Sequence, residues 1–512
     1  MSYLAAVEVD QRQRIITSAD KLKEMLGGSW TIQDTEALGN RIPEGIDTIK
    51  SASGDLWFKA DDLSTLTNFL WTLRREIVDR LNLPCSFAIH LETGQAQEDR
   101  LALTRQMKRI KASKSGEVGH ISLPWCAPCQ IQPNLVANYW YPNRENHDQL
   151  KRRALISANS KARLKRGRKT MEEYYRAFPI IDRRNLEYPD SLNDFAPDSD
   201  SYLAVLRFDA DGATKFFEKL ELDNGWNNFK ECSTAMQQCL ETAMNEAFNS
   251  TIEIAKFTPK NRKVPISPLI AAGDDFLVVI RRDLALPFAL ALLEEYTQAT
   301  SRSEILKAHT PADDTLTLSG AIVFARAGFP FSVLSEISND IERSAKDLRK
   351  TPYISEPCLD VYWLESTGRE APIPAREAAL TYQSDNRIFS FITAPWTLKQ
   401  TTAMWNSAEL VANIPRGKWH QLLSGLWAGE PLASFHFQRW LQHLSAGQKE
   451  AFEKVIKVLI GAGLWPRGIE AAPWIKFHKD NREIFATPLL ELHQLREMLV
   501  FSKDANQEAE PQ

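Results

Sequence analysis

Two short acidic pieces, far apart in the chain, carry the residue types of metal-assisted chemistry: Phe208-Asp209-Ala210-Asp211-Gly212 and Ala272-Gly273-Asp274-Asp275. Asp and Gly are turn formers, so each piece alone reads as an ordinary turn. Two acidic turns on neighbouring strands are different, because like charges held close repel unless a cation or a proton lies between them. Mg²⁺ (or Mn²⁺) is the natural occupant, being hard, oxygen-liganded and commonly shared with substrate phosphates. Such an ion would activate a ribose hydroxyl and neutralise charge on a transferred phosphoryl group. The spacing does not show that the two turns are neighbours, and the plain-turn reading stays open beside the catalytic one.

The elements around these pieces form a recognisable series. Tyr202 to Phe208 is a short, mostly apolar run that reads as a buried strand, and Lys215-Phe216-Phe217 with Leu220 gives an apolar helical face behind it. Pro268-Leu269-Ile270-Ala271 and Phe276 to Ile280 read as two strands joined by a tight turn with Gly273-Asp274-Asp275 at its tip. Further helices are expected over 234–248, 284–297 and 331–348, and strands over 250–257, 316–325 and 359–363. The order approximates the split βαβ, ferredoxin-like arrangement with an extra strand and helix. Ser319 in its strand and Lys346 near the end of its helix are the candidate substrate contacts, since a lysine offers a point charge to triphosphate oxygens. Lone Ser and Lys residues more often have no such role.

The rest of the chain supplies context. With 512 residues, 43% hydrophobic and 25% charged, the composition is that of ordinary globular domains, and a net charge of -4 gives no global sign of nucleic-acid binding. No apolar run is long enough for a membrane span, no signal peptide is evident at Met1-Ser2-Tyr3-Leu4, and six cysteines are too few for a disulfide scaffold. A cytoplasmic protein is expected. An α+β unit covers roughly residues 1–100, with a strand at Tyr3–Val9, a turn over Asp10–Ile16, a helix from Lys21 ended by Gly27-Gly28, a long amphipathic helix over Leu63–Leu81 and a strand at Cys85–His90. Its acidic residues show no paired set. Residues 101–195 carry Cys126-Ala127-Pro128-Cys129, which has the spacing of metal ligands. A structural Zn²⁺ needs four ligands, and His120 and His147 are the nearest further candidates; a partial knuckle and a redox pair are the competing readings. The basic tract Lys161 to Lys169 fits either phosphate contacts or a solvated helix face. Pro189 to Asp200 reads as a linker. From Pro395 the chain is expected to be helical, its tryptophans anchoring a core rather than stacking on bases, and 504–512 to be a disordered tail.

Taken together, Tyr202–Phe217, Pro268–Ile280, Leu318–Lys346, the Cys126–Cys129 knuckle and the opening Tyr3–Ser29 resemble the large, polymerase-like subunit of type III CRISPR effector complexes. The resemblance covers nearly the whole chain in the same order and implies an α+β protein with two ferredoxin-like palm domains, at 1–100 and 196–365. A cysteine-bearing insert lies between them (101–195) and a helical C-terminal domain follows (366–503). It implies an Mg²⁺-dependent nucleotidyltransferase that makes cyclic or linear oligoadenylates from ATP when its complex holds target RNA paired to a guide. Small subunits, guide RNA and target RNA are the implied partners, with no membrane. By the same resemblance Asp209, Asp274 and Asp275 are catalytic, Asp209, Asp274 and Asp211 hold metal, and Gly273, Ser319 and Lys346 contact the nucleotide. The chain departs from the family at Ala272, where the motif has glycine, and in its incomplete cysteine set. It also begins in the first palm, so no His-Asp nuclease activity is expected of it. Two alternatives stand beside this reading: a non-catalytic nucleotide-binding or RNA-complex scaffold, and a cyclase of the diguanylate type, which two palms, an insert and a helical tail fit poorly.

Overall fold

A computed structural model describes the chain outside residues 18, 20, 53, 114–126, 128, 131–135, 143–152, 197–200, 225, 227, 258–260, 273–274, 311–315, 365–370, 385–386, 428–429, 468–472, 480–481 and 508–512. The first unit runs β1 (Tyr3–Val9), α1 (Arg12–Thr17), α2 (Leu22–Gly39), β2 (Ile46–Ala52), β3 (Asp55–Ala60), α3 (Leu63–Leu81), β4 (Cys85–Leu91) and α4 (Ala96–Ser113). Its sheet has the antiparallel order β2-β3-β1-β4. After β5 (Tyr139–Pro142), β6 (Arg153–Ile156), α5 (Ala158–Arg176) and α6 (Pro179–Arg183), the second unit repeats the plan. It comprises β7 (Tyr202–Asp211), α7 (Ala213–Asn224), α8 (Phe229–Ile254), β8 (Ile266–Ala272), β9 (Asp275–Arg281), α9 (Ala285–Arg302), α10 (Glu304–His309), β10 (Thr317–Arg326), α11 (Phe331–Arg349) and β11 (Cys358–Trp363). Here the order is β8-β9-β7-β10, extended by β11 and a short C-terminal strand. Both units are therefore α+β palms of ferredoxin-like order, as the strand and helix series implied for the second.

Several expectations are corrected. The Asp10–Ile16 turn contains α1, and β2 is an unforeseen strand. Gly27-Gly28 does not end α2, which continues to Gly39. These glycines serve packing: a Cβ on Gly27 would lie 1.9 Å from the Arg163 carbonyl oxygen of α5, and one on Gly167 would lie 1.7 Å from that of Lys23. The two helices thus cross backbone to backbone. Residues 250–254 extend α8 instead of starting a strand. The stretch before β7 is partly packed, with Leu192 and Phe195 buried in a 3-10 turn. The C-terminal region is rich in helices but not purely helical. It has α12 (Pro372–Leu380), β12 (Thr381–Ser384), β13 (Arg387–Ser390), β14 (Trp396–Thr397), α13 (Leu398–Leu410), α14 (Arg416–Leu426), α15 (Glu430–Gln442), α16 (Ala446–Gly461), β15 (Ile475–Lys479), β16 (Arg482–Ala486) and α17 (Leu489–Gln507). A four-stranded sheet β12-β13-β16-β15 brings its two ends together, and β14 caps the second palm sheet beside β11.

The tryptophans Trp396, Trp419, Trp440, Trp465 and Trp474 are buried core anchors, and the Trp440 indole donates to the Lys418 carbonyl at 2.7 Å. The basic tract lies on α5 and is largely engaged within the chain. Arg163 is buried and donates to the Ile15 carbonyl at 3.0 Å. Arg166 forks onto Asp34 at 2.9 and 2.8 Å, and Lys169 pairs with Glu173 at 3.3 Å. This tract fastens α5 to the first palm. Among the described residues no helix is long and apolar enough to cross a membrane.

The palms meet in a reciprocal way. Helix α2 packs on β8 while α8 packs on β2, and α1 packs on α11 while α4 packs on α7. Arg100 of α4 bonds Glu221 and Glu218 of α7 at 2.9 and 3.2 Å. The internal contact is arranged like an isologous dimer interface.

Candidate functional site

The register of the second palm builds the site. On β7, alternation sets Arg207, Asp209 and Asp211 on one face. Asp209 is the direct partner of Asp275 on β9 and of Ser319 on β10. Like charges directly opposite one another on a sheet are destabilising, and each is compensated. Lys346, reaching down from α11, forms an ion pair with Asp209. The Arg207 guanidinium donates to both Asp275 oxygens at 3.0 and 3.2 Å, and the Gln13 amide of the first palm donates to Asp275 Oδ2 at 3.1 Å. Behind these lies Glu342, one helical turn before Lys346 and 3.3 Å from its ammonium. Burial pushes the Glu342 carboxyl up to about 7, with Arg207 opposing and Asp275 and Asp211 reinforcing the shift. Burial, with Lys350 and Arg207 nearby, brings Lys346 down to about 8.

The sequence-chosen residues are distributed as follows. Asp209, Asp275 and Lys346 converge. Asp211 is buried and turned to β10, its Oδ2 accepting from the Thr317 and Ser319 hydroxyls at 2.8 Å each. Ser319 also accepts from the Cys358 N–H at 3.2 Å. Ala272 is the last residue of β8 and pairs with Asp275. Gly273 and Asp274 lie outside the described residues, as does Cys126. Cys129 is buried, its sulfur accepting from the Ser157 N–H at 3.2 Å.

Among the described residues no group of three or more His, Cys, Asp or Glu is gathered for a metal ion. The Asp209–Asp275 pair nevertheless suits Mg²⁺, which takes one or two carboxylates and completes its shell with water and substrate phosphates. Both side chains are about a quarter exposed, and both are held by a cation of the chain itself. Hard oxygen donors that need a positive partner are the right donor set.

Sequence reasoning missed Arg207, Gln13 and Glu342, and it missed a second constellation in the first palm. There Glu8 is the partner of both Asp55 and Ser86. Ser86 donates to Asp10 at 2.8 Å, as Ser319 does to Asp211. Lys111 on α4 pairs with Glu8, as Lys346 on α11 does with Asp209. Asp55 is held by Lys50 at 2.6 Å and the Trp57 indole at 2.8 Å, and its carboxyl is lowered, with Lys50 and Arg12 outweighing burial. The signal was an internal repeat: Glu8-Val9-Asp10 against Asp209-Ala210-Asp211, and Ala52-Ser53-Gly54-Asp55 against Ala272-Gly273-Asp274-Asp275.

Residues 202–352 match the second palm domain of Cas10/Cmr2. The fold of the whole chain is similar to that of Csm1 in a crystal structure of the Csm1–Csm4 cassette with pppApA. The TM-score is 0.55 and the identity 12%, covering 98% of this chain and 69% of that one. The cassette with one ATP gives a TM-score of 0.50 at 12% identity, over 98% of this chain and 70% of the other. At this identity the likeness is one of fold. No curated protein matches the sequence.

Proposed function

We propose that this chain is a divalent-cation-dependent nucleotidyltransferase that joins ATP into cyclic or linear oligoadenylates in type III CRISPR-type antiviral defence, acting with small subunits, guide RNA and target RNA. One observation carries the reading: Asp209 and Asp275 stand opposite each other at adjacent strand ends, each neutralised by a basic side chain. The palm match and the fold shared with structures holding pppApA or ATP support a nucleotide as ligand.

When bound, Mg²⁺ would supply charge neutralisation at the α-phosphate and lower the pKa of the attacking hydroxyl. The chain's own residues do the rest. Asp209 and Asp275 would hold the ion, joined by Asp274 as the resemblance implies. Lys346, now paired with Asp209, would offer its charge to the triphosphate oxygens. Gln13 would fix the Asp275 carboxylate, which Arg207 holds until the ion arrives. Asp211 locks Ser319, and with it β10, against the end of β7. A ribose hydroxyl would attack in line, giving up its proton to solvent as the new O–P bond forms and the bond to pyrophosphate breaks.

A second reading has its own support. Because Lys346 and Arg207 already satisfy both carboxylates, the palm is self-sufficient without metal, as a non-catalytic nucleotide-binding or RNA-complex scaffold would be. Incubation of the full chain with α-labelled ATP and Mg²⁺ or Mn²⁺, with and without partner subunits and target RNA, separates the two. Oligoadenylate made by wild type and lost in Asp209→Asn is expected. No product under any of these conditions would favour the scaffold.

A further inference from the structure

The chain contains its own control for what makes the second palm special. Five positions of the two constellations correspond, but two do not. Two residues before Asp209 stands Arg207, and two before Glu8 stands Ala6; four residues before Lys346 on its helix stands Glu342, and four before Lys111 stands Met107. Ala6 and Met107 are buried apolar groups, whereas Arg207 and Glu342 are charges buried at 4% and 6% exposure. Burying charges costs stability unless they are paired, so this pair calls for a reason.

Its geometry supplies one. Glu342 stands between the two cations that neutralise the opposed aspartates. Its Oε1 is 3.3 Å from Lys346 Nζ, and its Oε2 is 4.0 Å from Arg207 Nε. That Nε–H is buried and has no hydrogen-bond acceptor among the described residues. Arg207 therefore keeps one donor in reserve, with the nearest Glu342 oxygen 4.0 Å away, beyond hydrogen-bond distance.

We propose that Glu342 is a positioning residue: when a divalent cation takes Asp209 and Asp275 from Lys346 and Arg207, Glu342 holds both displaced cations in the site. Without it the half-buried Lys346 ammonium and the buried Arg207 guanidinium would both face an incoming dication, a repulsive arrangement. With it, Arg207 closes on Glu342 through its reserved Nε–H, and Lys346 remains tethered where a triphosphate would meet it. The first palm, with Ala6 and Met107, has no such receiver. The inference rests on the metal-binding reading of Asp209 and Asp275.

The test is Mn²⁺ affinity of the full chain without nucleotide, read from the electron paramagnetic resonance of free and bound Mn²⁺, in a double-mutant cycle. Lys346→Met removes the competitor and is expected to tighten Mn²⁺ binding. Glu342→Gln in the wild-type background is expected to weaken it about tenfold, the scale of a hydrogen bond to a charged group. In the Lys346→Met background the cost of Glu342→Gln is expected to shrink severalfold, because one displaced cation is gone. If Glu342 acted only as a distant negative charge, its removal would cost as much or more once Lys346 is absent, and that result overturns the proposal while leaving the metal site intact. Wild type that binds no Mn²⁺ overturns both. Melting temperatures of each variant, measured without metal, separate an altered site from an altered fold.

Discussion

At the scale of single residues, the second palm holds two facing carboxylates against two cations from its own chain. Lys346→Met leaves Asp209 opposite Asp275 without its ammonium. In metal-free solution the variant should lose roughly 1 kcal/mol, the scale of a partly exposed ion pair, and Mn²⁺ should raise its melting temperature more than it raises that of wild type. Equal shifts in the two proteins would contradict the idea that lysine and metal compete. A different residue controls acid stability. His493 on α17 is buried against Trp419, with ring centroids 5.6 Å apart, and burial together with Arg496 and His420 lowers it to about 4. Since the unfolded chain protonates it near 6.5, the unfolded state binds more protons between those values, and stability falls as pH drops from about 6.5 to 4. The loss is at most roughly 3.5 kcal/mol. A His493→Phe variant should show a flatter stability profile over that window in urea titrations at several pH values.

At the scale of elements, the crossing of α2 and α5 depends on two glycines in backbone contact. Gly167→Ala places a methyl where the Lys23 carbonyl already stands. Its cost should reach about 3 kcal/mol, the upper end for overpacking, as a lowered urea midpoint with unchanged slope. The same crossing shows why helix α2 was misread. Glycine pairs look like a stop when only local propensity is available, and the partner helix that requires them begins about 130 residues later in the sequence. Strongly periodic elements were legible: Leu63–Leu81 was recognised at both ends, and β7, β9, β10 and α11 nearly so. The acidic strand end and Lys346 were legible as residue types. Their partners were not, because Arg207 meets Asp275 only through the β7–β9 register and Gln13 arrives from the other palm. The C-terminal sheet was missed for a similar reason. Its strands are four or five residues long, and β13 pairs in parallel with β16 from nearly a hundred residues away.

At the scale of the whole molecule, two palms of one topology face each other through reciprocal contacts, so that the first palm's α1 completes the hydrogen bonding of the second palm's Asp275. The α5 tract fastens the insert to the first palm, and β14 fastens the C-terminal region to the second. The opposed carboxylates of Asp209 and Asp275 are proposed to hold a divalent cation beside a nucleotide. Crystals of the full chain soaked with Mn²⁺ and a non-hydrolysable ATP analogue test it most directly. The account predicts an anomalous difference peak bridging Asp209 and Asp275, with Lys346 moved from Asp209 to the triphosphate. Lys346 still paired with Asp209, and no peak between the carboxylates, would contradict it.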